Sequence, residues 1–487
     1  MFLGKYYLLA IYFLQLENYD LRRFVKAFYS RGRSLTAKRQ PIIWTRKLKM
    51  ITVIASVIYF GFILIFLASI LRPMTVANVV AKIILGVVLC ELLSLICPFV
   101  FCLAVFVFWP FDHAIKSRIV GKAKLKLTEA PRLKIIGITG SYGKTTFKEA
   151  LKTVLEEKYR VLATPENKNT PIGLSRLILD DLEPAFEILI AEMGAYRVGD
   201  IKTLCQIAKP DIAVLTGINE SHLERFGSIK NTILGKFEIV TNAKLTAPVF
   251  LNADNDYILD NYKKFVGERE VNFYSESKFS RTPYAIKNKI YLPDAKGLEF
   301  DLTKTEGEDL IGHFKTALIG DYILGTLMGV IEIALKLGLS VAEIQRGFNR
   351  LQPIPHRLEP ILTAQNVLII DDSYNGNPAG AREAIKLLKR FSDRRKIYLT
   401  PGLVEMGKAS EKIHHELGEN LAPVADKVIL IKNSVSEYIR AGLLNKGFSE
   451  DNLTIYPSTD SAHADIKNIL KPGDVIIFQN DWTDNYQ

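Results

Sequence analysis

The chain contains the sequence Thr139-Gly140-Ser141-Tyr142-Gly143-Lys144-Thr145-Thr146 between an apolar run, residues 133–138, and a helical pattern, residues 147–157. This order predicts a strand, a glycine loop and a helix, an arrangement that cradles phosphate with loop amides and a helix N-terminus. The spacing is that of a shortened P-loop, because Ile138 stands where the usual motif has its first glycine. On the motif alone, an ordinary glycine-rich turn with a solvated lysine remains the alternative.

The expected roles of the loop residues follow from their chemistry. Gly140 and Gly143 would let the backbone approach the phosphates, and Lys144 would reach the terminal phosphates. The hydroxyl of Thr145 would bind Mg²⁺. The segment therefore predicts a nucleoside triphosphate as the ligand.

Two long apolar runs precede the P-loop. Residues 50–71 carry no charge over 22 residues, about 33 Å of helix, which is enough to cross a bilayer core of about 30 Å. Residues 83–109 form the second run, interrupted by Glu91 and Pro98. Two buried core helices are the alternative, but soluble helices rarely extend so far without a polar face. We therefore expect a two-helix transmembrane hairpin.

Basic residues flank both runs. Residues 21–49 hold ten Lys or Arg and no acid, and five more Lys or Arg lie between residues 116 and 126. The positive-inside rule then predicts a multi-pass hairpin in the inner, cytoplasmic membrane, with both termini and the catalytic domains in the cytoplasm. This topology also accounts for much of the net charge of +11, so we expect a lipid bilayer and no nucleic acid among the partners.

The rest of the chain alternates strand-like and helix-like segments, which is typical of parallel α/β domains. Short buried strands are predicted at residues 188–191, 212–215 and 249–251, with a β-rich insertion at about 271–302. After a proline-bearing joint, a second series of strands begins at residue 367. The predicted fold is therefore α/β, with a P-loop central ATPase domain and a smaller Rossmann-like C-terminal domain after the hairpin.

These patterns divide the chain into four predicted parts. Residues 1–49 form a basic amphipathic N-terminal segment, and residues 50–110 form the transmembrane hairpin. Residues 111–354 form the P-loop central domain, and residues 355–487 form the C-terminal domain.

Polar groups follow the P-loop at the ends of apolar strands, where α/β sheets place ligands. Glu192 ends one strand, and His222 lies in a loop after the next. A carboxylate and an imidazole could both bind the Mg²⁺ of a nucleotide. Lys236 lies in a helical stretch beyond them. Taken singly, each has an ordinary alternative as a helix-start charge, a cap or a solvated lysine.

Motifs along the chain resemble those of the Mur ligase family, ATP-dependent enzymes that form peptide bonds in cell-wall synthesis. The resemblance covers about residues 132–480 and is greatest for the branch that adds D-alanyl-D-alanine to the muramoyl-tripeptide. Its marks, besides the P-loop, are Thr164-Pro-Glu-Asn-Lys-Asn-Thr-Pro-Ile-Gly173, Glu192-Met-Gly-Ala195, His222-Leu-Glu-Arg-Phe-Gly-Ser228, Asn252-Ala-Asp254, His356-Arg-Leu-Glu359 and Asp371-Asp-Ser-Tyr-Asn-Gly-Asn-Pro378. The last of these is the most specific, because it marks that branch.

The resemblance implies a role for each matching residue. The residues implied in catalysis are Lys144, Glu192, His222 and Lys236. Those implied in nucleotide binding are Gly140, Ser141, Tyr142, Gly143, Lys144, Thr145, Thr146, Thr326, Arg357 and Asp372. The implied Mg²⁺ ligands are Thr145, Glu192, His222 and Lys236, the lysine as a carbamate. Those implied near the substrates are Asn167, Asn169, Thr170, Asn375 and Asn377.

Two of the chain's departures from the family pattern bear on the acceptor and on the nucleotide. The predicted hairpin stands where family members have a soluble domain that binds the UDP end of the acceptor. Thr326 stands where the family has an asparagine that recognises adenine, and one hydroxyl cannot offer the donor and acceptor of an amide. The acceptor and the base specificity therefore stay open at this point.

The resemblance implies an ATP-dependent amide ligase with ATP and one or two Mg²⁺ ions as cofactors. A carboxylate of a cell-wall precursor would be activated as an acyl phosphate and then coupled to an amino acid or dipeptide amine such as D-alanyl-D-alanine. Membrane enzymes of cell-wall synthesis are expected as further partners. One alternative is a ligase acting on a lipid-linked muropeptide or another polymer precursor. Another is a membrane-tethered nucleotide-binding scaffold without ligase activity.

Overall fold

The computed structural model describes residues 2–31, 41–70, 77–165, 168–220, 223–278, 281–307, 309–374, 376–404 and 406–479. The chain divides into two compact units, Met1–Gly121 and Lys122–Gln487.

The first unit is helical. Its helices are α1 (Phe2–Leu16), α2 (Leu21–Arg31), α3 (Arg46–Ile70) and α4, which begins at Ala77 and ends at Thr128. Buried side chains of α1, α2, α3 and the described part of α4 form one apolar core, which includes Phe13, Phe24 and Phe101. By length and composition alone, Arg46–Leu64 and Leu95–Thr128 could each cross a membrane, and core helices of soluble proteins pass the same test. The predicted transmembrane hairpin in place of a UDP-binding domain is therefore not confirmed.

The second unit begins with a six-stranded parallel sheet in the order β2-β3-β1-β4-β5-β6. Its strands are β1 (Lys134–Thr139), β2 (Val161–Ala163), β3 (Ile188–Glu192), β4 (Ile212–Leu215), β5 (Val249–Asn252) and β6 (Val271–Tyr274). The connecting helices are α5 (Lys144–Leu155), α6 (Pro171–Asp181), α7 (Asp200–Ile207), α8 (Leu223–Phe226), α9 (Ile229–Asn242) and α10 (Asp256–Asn261).

Three antiparallel strands form a separate small sheet, and two helices follow it. The strands are β7 (Tyr284–Tyr291), β8 (Leu298–Lys304) and β9 (Leu310–Thr316), and the helices are α11 (Tyr322–Lys336) and α12 (Val341–Arg350). Phe300 and Phe314 from this sheet lie in the same apolar core as Phe147 from α5. The predicted β-rich insertion is therefore present, although β6 joins the parallel sheet instead of the insertion.

The last part of the chain forms a second six-stranded sheet in the order β10-β11-β15-β12-β13-β14, in which only the β10–β11 pair is antiparallel among the described strands. Its strands are β10 (Glu359–Leu362), β11 (Leu368–Asp372), β12 (Lys396–Thr400), β13 (Lys427–Ile431), β14 (Leu453–Tyr456) and β15 (Val475–Gln479). Its helices are α13 (Pro378–Lys389), α14 (Ser410–Leu421), α15 (Ser436–Asn445) and α16 (Thr459–Ile469). The predicted α/β class is confirmed for both sheets.

The order of the first sheet determines where a ligand can bind. β1 lies between β3 and β4, so the chain turns to opposite sides of β1 as it builds the sheet. The segments that leave the carboxyl ends of these three strands diverge and leave a crevice between them. The buried apolar residues of β1, such as Ile136 and Ile138, fix the strand in the sheet, and the P-loop follows at its end.

Candidate active site

The loop between β1 and α5 is shaped by the segment that follows β4. Ser141 N donates a hydrogen bond of 2.7 Å to Gly217 O. A Cβ atom on Gly140 would lie 2.1 Å from Thr216 Oγ1, so this position accepts only glycine. Gly143 precedes α5 with a φ of 76°, a left-handed conformation that side chains rarely adopt. The two glycines are therefore required by packing and backbone conformation.

Glu192 ends β3 beside the first turn of α5. Its Oε2 accepts a hydrogen bond of 3.1 Å from Thr145 Oγ1, and its Oε1 accepts one of 3.3 Å from Asn169 Nδ2. Hydroxyl and carboxylate oxygens are ligands that Mg²⁺ prefers, so this pair fits a nucleotide-bound Mg²⁺ ion. The structure thus brings Thr145 and Asn169, from two separate motifs, to the carboxylate of Glu192.

The charges around this point are coupled. Burial raises the pKa of Glu192, but the Lys144 and Lys148 cations outweigh that effect and hold the pKa below its usual range. Burial and the Arg357 cation lower the pKa of Lys144, whereas Glu192 raises it. Lys144 Nζ donates to Gly140 O over 2.9 Å, so its side chain bends back over the loop.

Arg357 reaches the P-loop from the segment between α12 and β10. Its Nη2 donates to Thr145 Oγ1 over 3.2 Å, and its guanidinium carbon lies 4.6 Å from the centre of the Tyr374 ring. Its Nε is buried and has no hydrogen-bond partner among the described residues. A buried donor without a partner is costly, and a phosphate oxygen is the group that this guanidinium would bind best.

Lys236 lies on α9 and is 2% exposed. Its Nζ donates to Ala195 O over 3.4 Å, just beyond the end of β3. Burial and the Lys144 cation lower the pKa of Lys236 well below its usual value, although Asp200 and Glu192 oppose the shift. A lysine with a depressed pKa offers a neutral amine, which is the form that reacts with CO₂.

Two of the predicted substrate residues act as helix caps. Thr170 precedes α6, and its hydroxyl accepts from Gly173 N. Asn377 precedes α13, and its Oδ1 accepts from two backbone amides of that helix. The same Oδ1 accepts a 2.9 Å hydrogen bond from Asn219 Nδ2, which follows β4. Asn377 therefore also connects the segment after β11 to the segment after β4.

The remaining predicted nucleotide residues lie around the same crevice. Ser141 Oγ accepts from Asn219 N over 3.3 Å, and Tyr142 OH accepts from Asn255 Nδ2 over 3.1 Å. Asp372 accepts from a backbone amide, and burial raises its pKa to about 7.

Two further predicted residues lie on helices that start at the crevice. Thr146 is buried in the first turn of α5. Thr326 is half-buried in the first turns of α11. Asn167, His222 and Asn375 lie outside the described residues, so the predictions made for them stay predictions.

A second group of possible metal ligands lies nearby. Ligand atoms of His356, Glu359 and Asp371 lie within 4.8 Å of one another. His356 Nδ1 is 2.7 Å from Asp371 Oδ2, and Glu359 Oε2 accepts from His356 N over 3.0 Å. These contacts hold the loop that carries Arg357, so we assign the group a structural role.

Sequence reasoning missed Lys148 and Asn219. Lys148 is completely buried beneath the P-loop and lies 3.6 Å from Glu192 Oε2. Its position one turn after Lys144, between Phe147 and Ala150, was the available signal, because a lysine on an apolar helix face needs a buried partner. Asn219 contacts Asn377 at the start of α13, and its neighbours in the sequence give no sign of that contact.

Several curated proteins are similar to more than half of this chain. The UDP-N-acetylmuramoyl-tripeptide–D-alanyl-D-alanine ligase of Bacillus subtilis is 29% identical over 350 residues, covering 71% of this chain and 72% of the relative. The Escherichia coli enzyme of the same name is 29% identical over 291 residues, 59% and 61% of the two chains. That of Borreliella burgdorferi is 32% identical over 310 residues, 63% of each. The chain thus spans about two thirds of the length of these relatives.

Solved structures show the same fold. MurF from Thermotoga maritima, solved in complex with ADP, has a TM-score of 0.65 and 27% identity, covering 75% of this chain and 80% of that one. MurF from Acinetobacter baumannii has a TM-score of 0.67 at 22% identity, covering 76% and 78%. At that identity the second likeness concerns the fold alone.

The predicted localisation in the inner membrane is wrong. The proteins that the chain matches are Mur ligases of the MurF type, and they do not support a multi-pass localisation in the inner membrane. The two apolar helices do not outweigh this finding, because helices of this length and composition also form cores of soluble proteins. The lipid bilayer and the membrane enzymes were predicted as partners on the same grounds and lose that basis.

Two domains of one protein family match the sequence of the second unit. Residues 138–334 match the Mur ligase middle domain, which contains the P-loop, Glu192 and Lys236. Residues 356–479 match the Mur ligase glutamate ligase domain, which contains Arg357 and Asp372. With this pair of matches covering both sheets, the chain belongs to the Mur ligase family of ATP-dependent ligases.

Proposed function

We propose that this ligase couples D-alanyl-D-alanine to a UDP-N-acetylmuramoyl-tripeptide. The relatives that match it along both domains carry that activity in their names. The observation that carries the proposal is the meeting of Thr145, Glu192 and Arg357, because the P-loop hydroxyl contacts a carboxylate of one domain and a guanidinium of the other.

The proposed reaction has two steps. A carboxylate oxygen of the tripeptide attacks the γ-phosphorus of ATP, ADP leaves, and an acyl phosphate forms. The amine of D-alanyl-D-alanine then attacks the carbonyl carbon, loses a proton, and releases inorganic phosphate with the original carboxylate oxygen. Negative charge develops on the transferring phosphoryl group in the first step, so cations at that point lower the barrier.

Four residues of this chain are proposed to stabilise that charge, directly or through a bound metal ion. Lys144, which bends over the loop, would move to the β- and γ-phosphates when ATP displaces its contact with Gly140 O. The unpartnered Nε of Arg357 would donate to a phosphate oxygen. Thr145 and Glu192 would hold Mg²⁺, which would neutralise phosphate charge when bound.

Lys236 is proposed to react with CO₂ as its neutral amine. Addition of the amine to the carbon of CO₂, with loss of a proton, gives a carbamate and replaces a potential cation with an anion. Its depressed pKa and its burial favour this reaction. A buried anion at this position would assist a second Mg²⁺ ion near Glu192.

The acceptor is proposed to approach along the segment that contains Asn169. Asn169 contacts Glu192 by its side chain, and Gly194 N donates to its backbone oxygen over 3.0 Å. A carboxylate guided by this segment would arrive beside the phosphates held at Lys144. The two ordered caps, Thr170 and Asn377, would keep the helices that border this path in place.

The test is release of ADP with each substrate omitted in turn, together with the mass of the product. We expect ADP only when ATP, Mg²⁺, the UDP-linked tripeptide and D-alanyl-D-alanine are all present. Lys144→Met should abolish turnover, whereas Lys152→Met, which removes only a half-exposed ion pair with Glu156 two turns further along the helix, should retain it. ADP release that does not depend on the amine, or a product only with a lipid-linked tripeptide, would overturn the proposal.

A further inference from the structure

Lys148 lies one turn after Lys144 on α5, and its side chain is completely buried. Its Nζ donates to Thr164 O over 2.7 Å and lies 3.0 Å from Glu149 Oε1. It also lies 3.6 Å from Glu192 Oε2. A buried ammonium is costly to desolvate and persists only where its donors are used, so this lysine has a specific task in the fold.

Two of the groups that Lys148 contacts, Thr164 and Glu192, adjoin the proposed active site. Thr164 follows β2 and begins the segment that leads to Asn169. The hydroxyl of Thr164 accepts a hydrogen bond of 2.9 Å from Glu192 N. Glu192 is therefore held at its backbone by Thr164 and at its carboxylate by Lys148, while Lys148 also holds the carbonyl of Thr164.

The contacts of Lys148 are all with protein groups outside the glycine loop. Its Nζ lies against Thr164 O, Glu149 Oε1 and Glu192 Oε2. Lys144 is the cation that contacts the loop, at Gly140 O. The two lysines, one turn apart on neighbouring positions of one helix face, thus contact different groups, Lys144 the glycine loop and Lys148 the groups at Thr164 and Glu192.

We propose that Lys148 is a positioning residue. It fixes the Glu192 carboxylate beside the Thr145 hydroxyl and ties this carboxylate to Thr164 O, just after the end of β2. This inference rests on the proposed function, because it assumes that Glu192 and Thr145 bind a divalent cation with the nucleotide. A carboxylate with two rotatable bonds beyond its Cβ would otherwise occupy several orientations. Groups that orient metal ligands typically contribute about 10- to 100-fold to metal affinity.

The experiment compares Mn²⁺ binding to the ADP-saturated full chain, measured by electron paramagnetic resonance, with metal-free ADP binding measured by calorimetry. Lys148→Met should weaken Mn²⁺ binding by about tenfold or more and leave metal-free ADP affinity unchanged. Lys148→Arg should restore part of the Mn²⁺ affinity, since it keeps the charge. Lys152→Met, at a half-buried lysine that pairs with Glu156 on the same helix, is the matched control and should match the wild type.

Steady-state kinetics supply a second readout. In Lys148→Met we expect the Mg²⁺ concentration for half-maximal rate to rise and kcat to fall, while KM for D-alanyl-D-alanine stays the same. A merely structural loss would lower thermal stability and every affinity together. If Lys148→Met does not fold, Lys148→Gln decides the question, because its amide can still donate to Thr164 O without a charge.

Different results overturn the two proposals. Wild-type protein that binds no Mn²⁺ with ADP would refute the assignment of Thr145 and Glu192, and with it the proposed function. Wild-type binding with equal Mn²⁺ affinity in Lys148→Met, or in Lys148→Gln, would refute the positioning role alone. Loss of metal-free ADP affinity in step with Mn²⁺ affinity, without rescue in Lys148→Arg, would also refute it.

Discussion

Replacing Glu332 with glutamine should stabilise the protein increasingly as the pH rises from about 5 to 8. Glu332 lies in the middle of α11, is 7% exposed, and its Oε1 has no hydrogen-bond partner among the described residues. Burial raises its pKa from 4.5 to about 8. The folded state therefore binds a proton that the unfolded state releases between these two values, so stability falls as the pH rises through this window.

The magnitude follows from the two pKa values. At about 1.4 kcal/mol per pH unit, the unfavourable contribution of Glu332 is about 1 kcal/mol at pH 5 and about 3 kcal/mol at pH 7. Glu332→Gln removes the titration and keeps the shape, since the protonated acid and the amide are similar in size. The variant should thus approach the wild type at pH 5 and exceed it by about 3 kcal/mol at pH 7.

Urea unfolding followed by circular dichroism at pH 5, 6, 7 and 8 would measure this difference. Glu183→Gln, at an exposed position, is the control and should follow the wild-type pH dependence. Parallel pH profiles for the wild type and Glu332→Gln would refute the reasoning, because they would mean that Glu332 has the same pKa in the folded and the unfolded protein. A destabilised variant at pH 7 would refute it as well.

Three further predictions concern the site and one helix. Arg357→Gln should raise KM for ATP by about tenfold or more, since a charge-assisted bond contributes on the order of 1.5–3 kcal/mol; an unchanged KM in steady-state assays would remove Arg357 from the nucleotide site. Wild-type activity should fall in CO₂-free buffer and return with bicarbonate, whereas Lys236→Met should be inactive in both, and an indifferent wild type would contradict the carbamate. Ser340→Ala breaks the capping box of α12 with Glu343 and should cost about 1 kcal/mol in thermal unfolding, with no change expected in ADP affinity.

Features determined by neighbouring residues could be predicted from the sequence. The P-loop and its flanking elements form as expected, because two glycines and an apolar run specify them locally. Glu192 falls at the end of β3 because the apolar run that predicts the strand also ends there. The strand predicted from residue 367 begins at Leu368 and extends to Asp372, because β10 and β15 both pair with it.

Features determined by contacts between distant parts of the chain could not be predicted from the sequence. The burial of Lys148 depends on Thr164 and Glu192, which approach α5 only when the sheet assembles. Likewise, β6 pairs with β5 in the parallel sheet, whereas β7, β8 and β9 pair with one another. The sequence of a strand does not specify which strand it pairs with.

Two sequence signals were available but were interpreted differently. Thr170 and Asn377 each stand directly before a proline at a helix start, a pattern typical of N-caps. The family resemblance implied substrate contacts for both. The apolar runs were correctly predicted as long helices, but apolar length alone does not separate a membrane segment from a core helix.

Transfer of ¹⁸O tests the central claim most directly. The UDP-linked tripeptide, labelled in its terminal carboxylate, would be incubated with ATP, Mg²⁺ and D-alanyl-D-alanine, and the released phosphate analysed by mass spectrometry. Activation of the carboxylate as an acyl phosphate predicts one ¹⁸O atom in each phosphate released and an amide product in equal amount. Unlabelled phosphate, or labelled phosphate without the amide product, would contradict the assignment of this chain as a carboxylate–amine ligase.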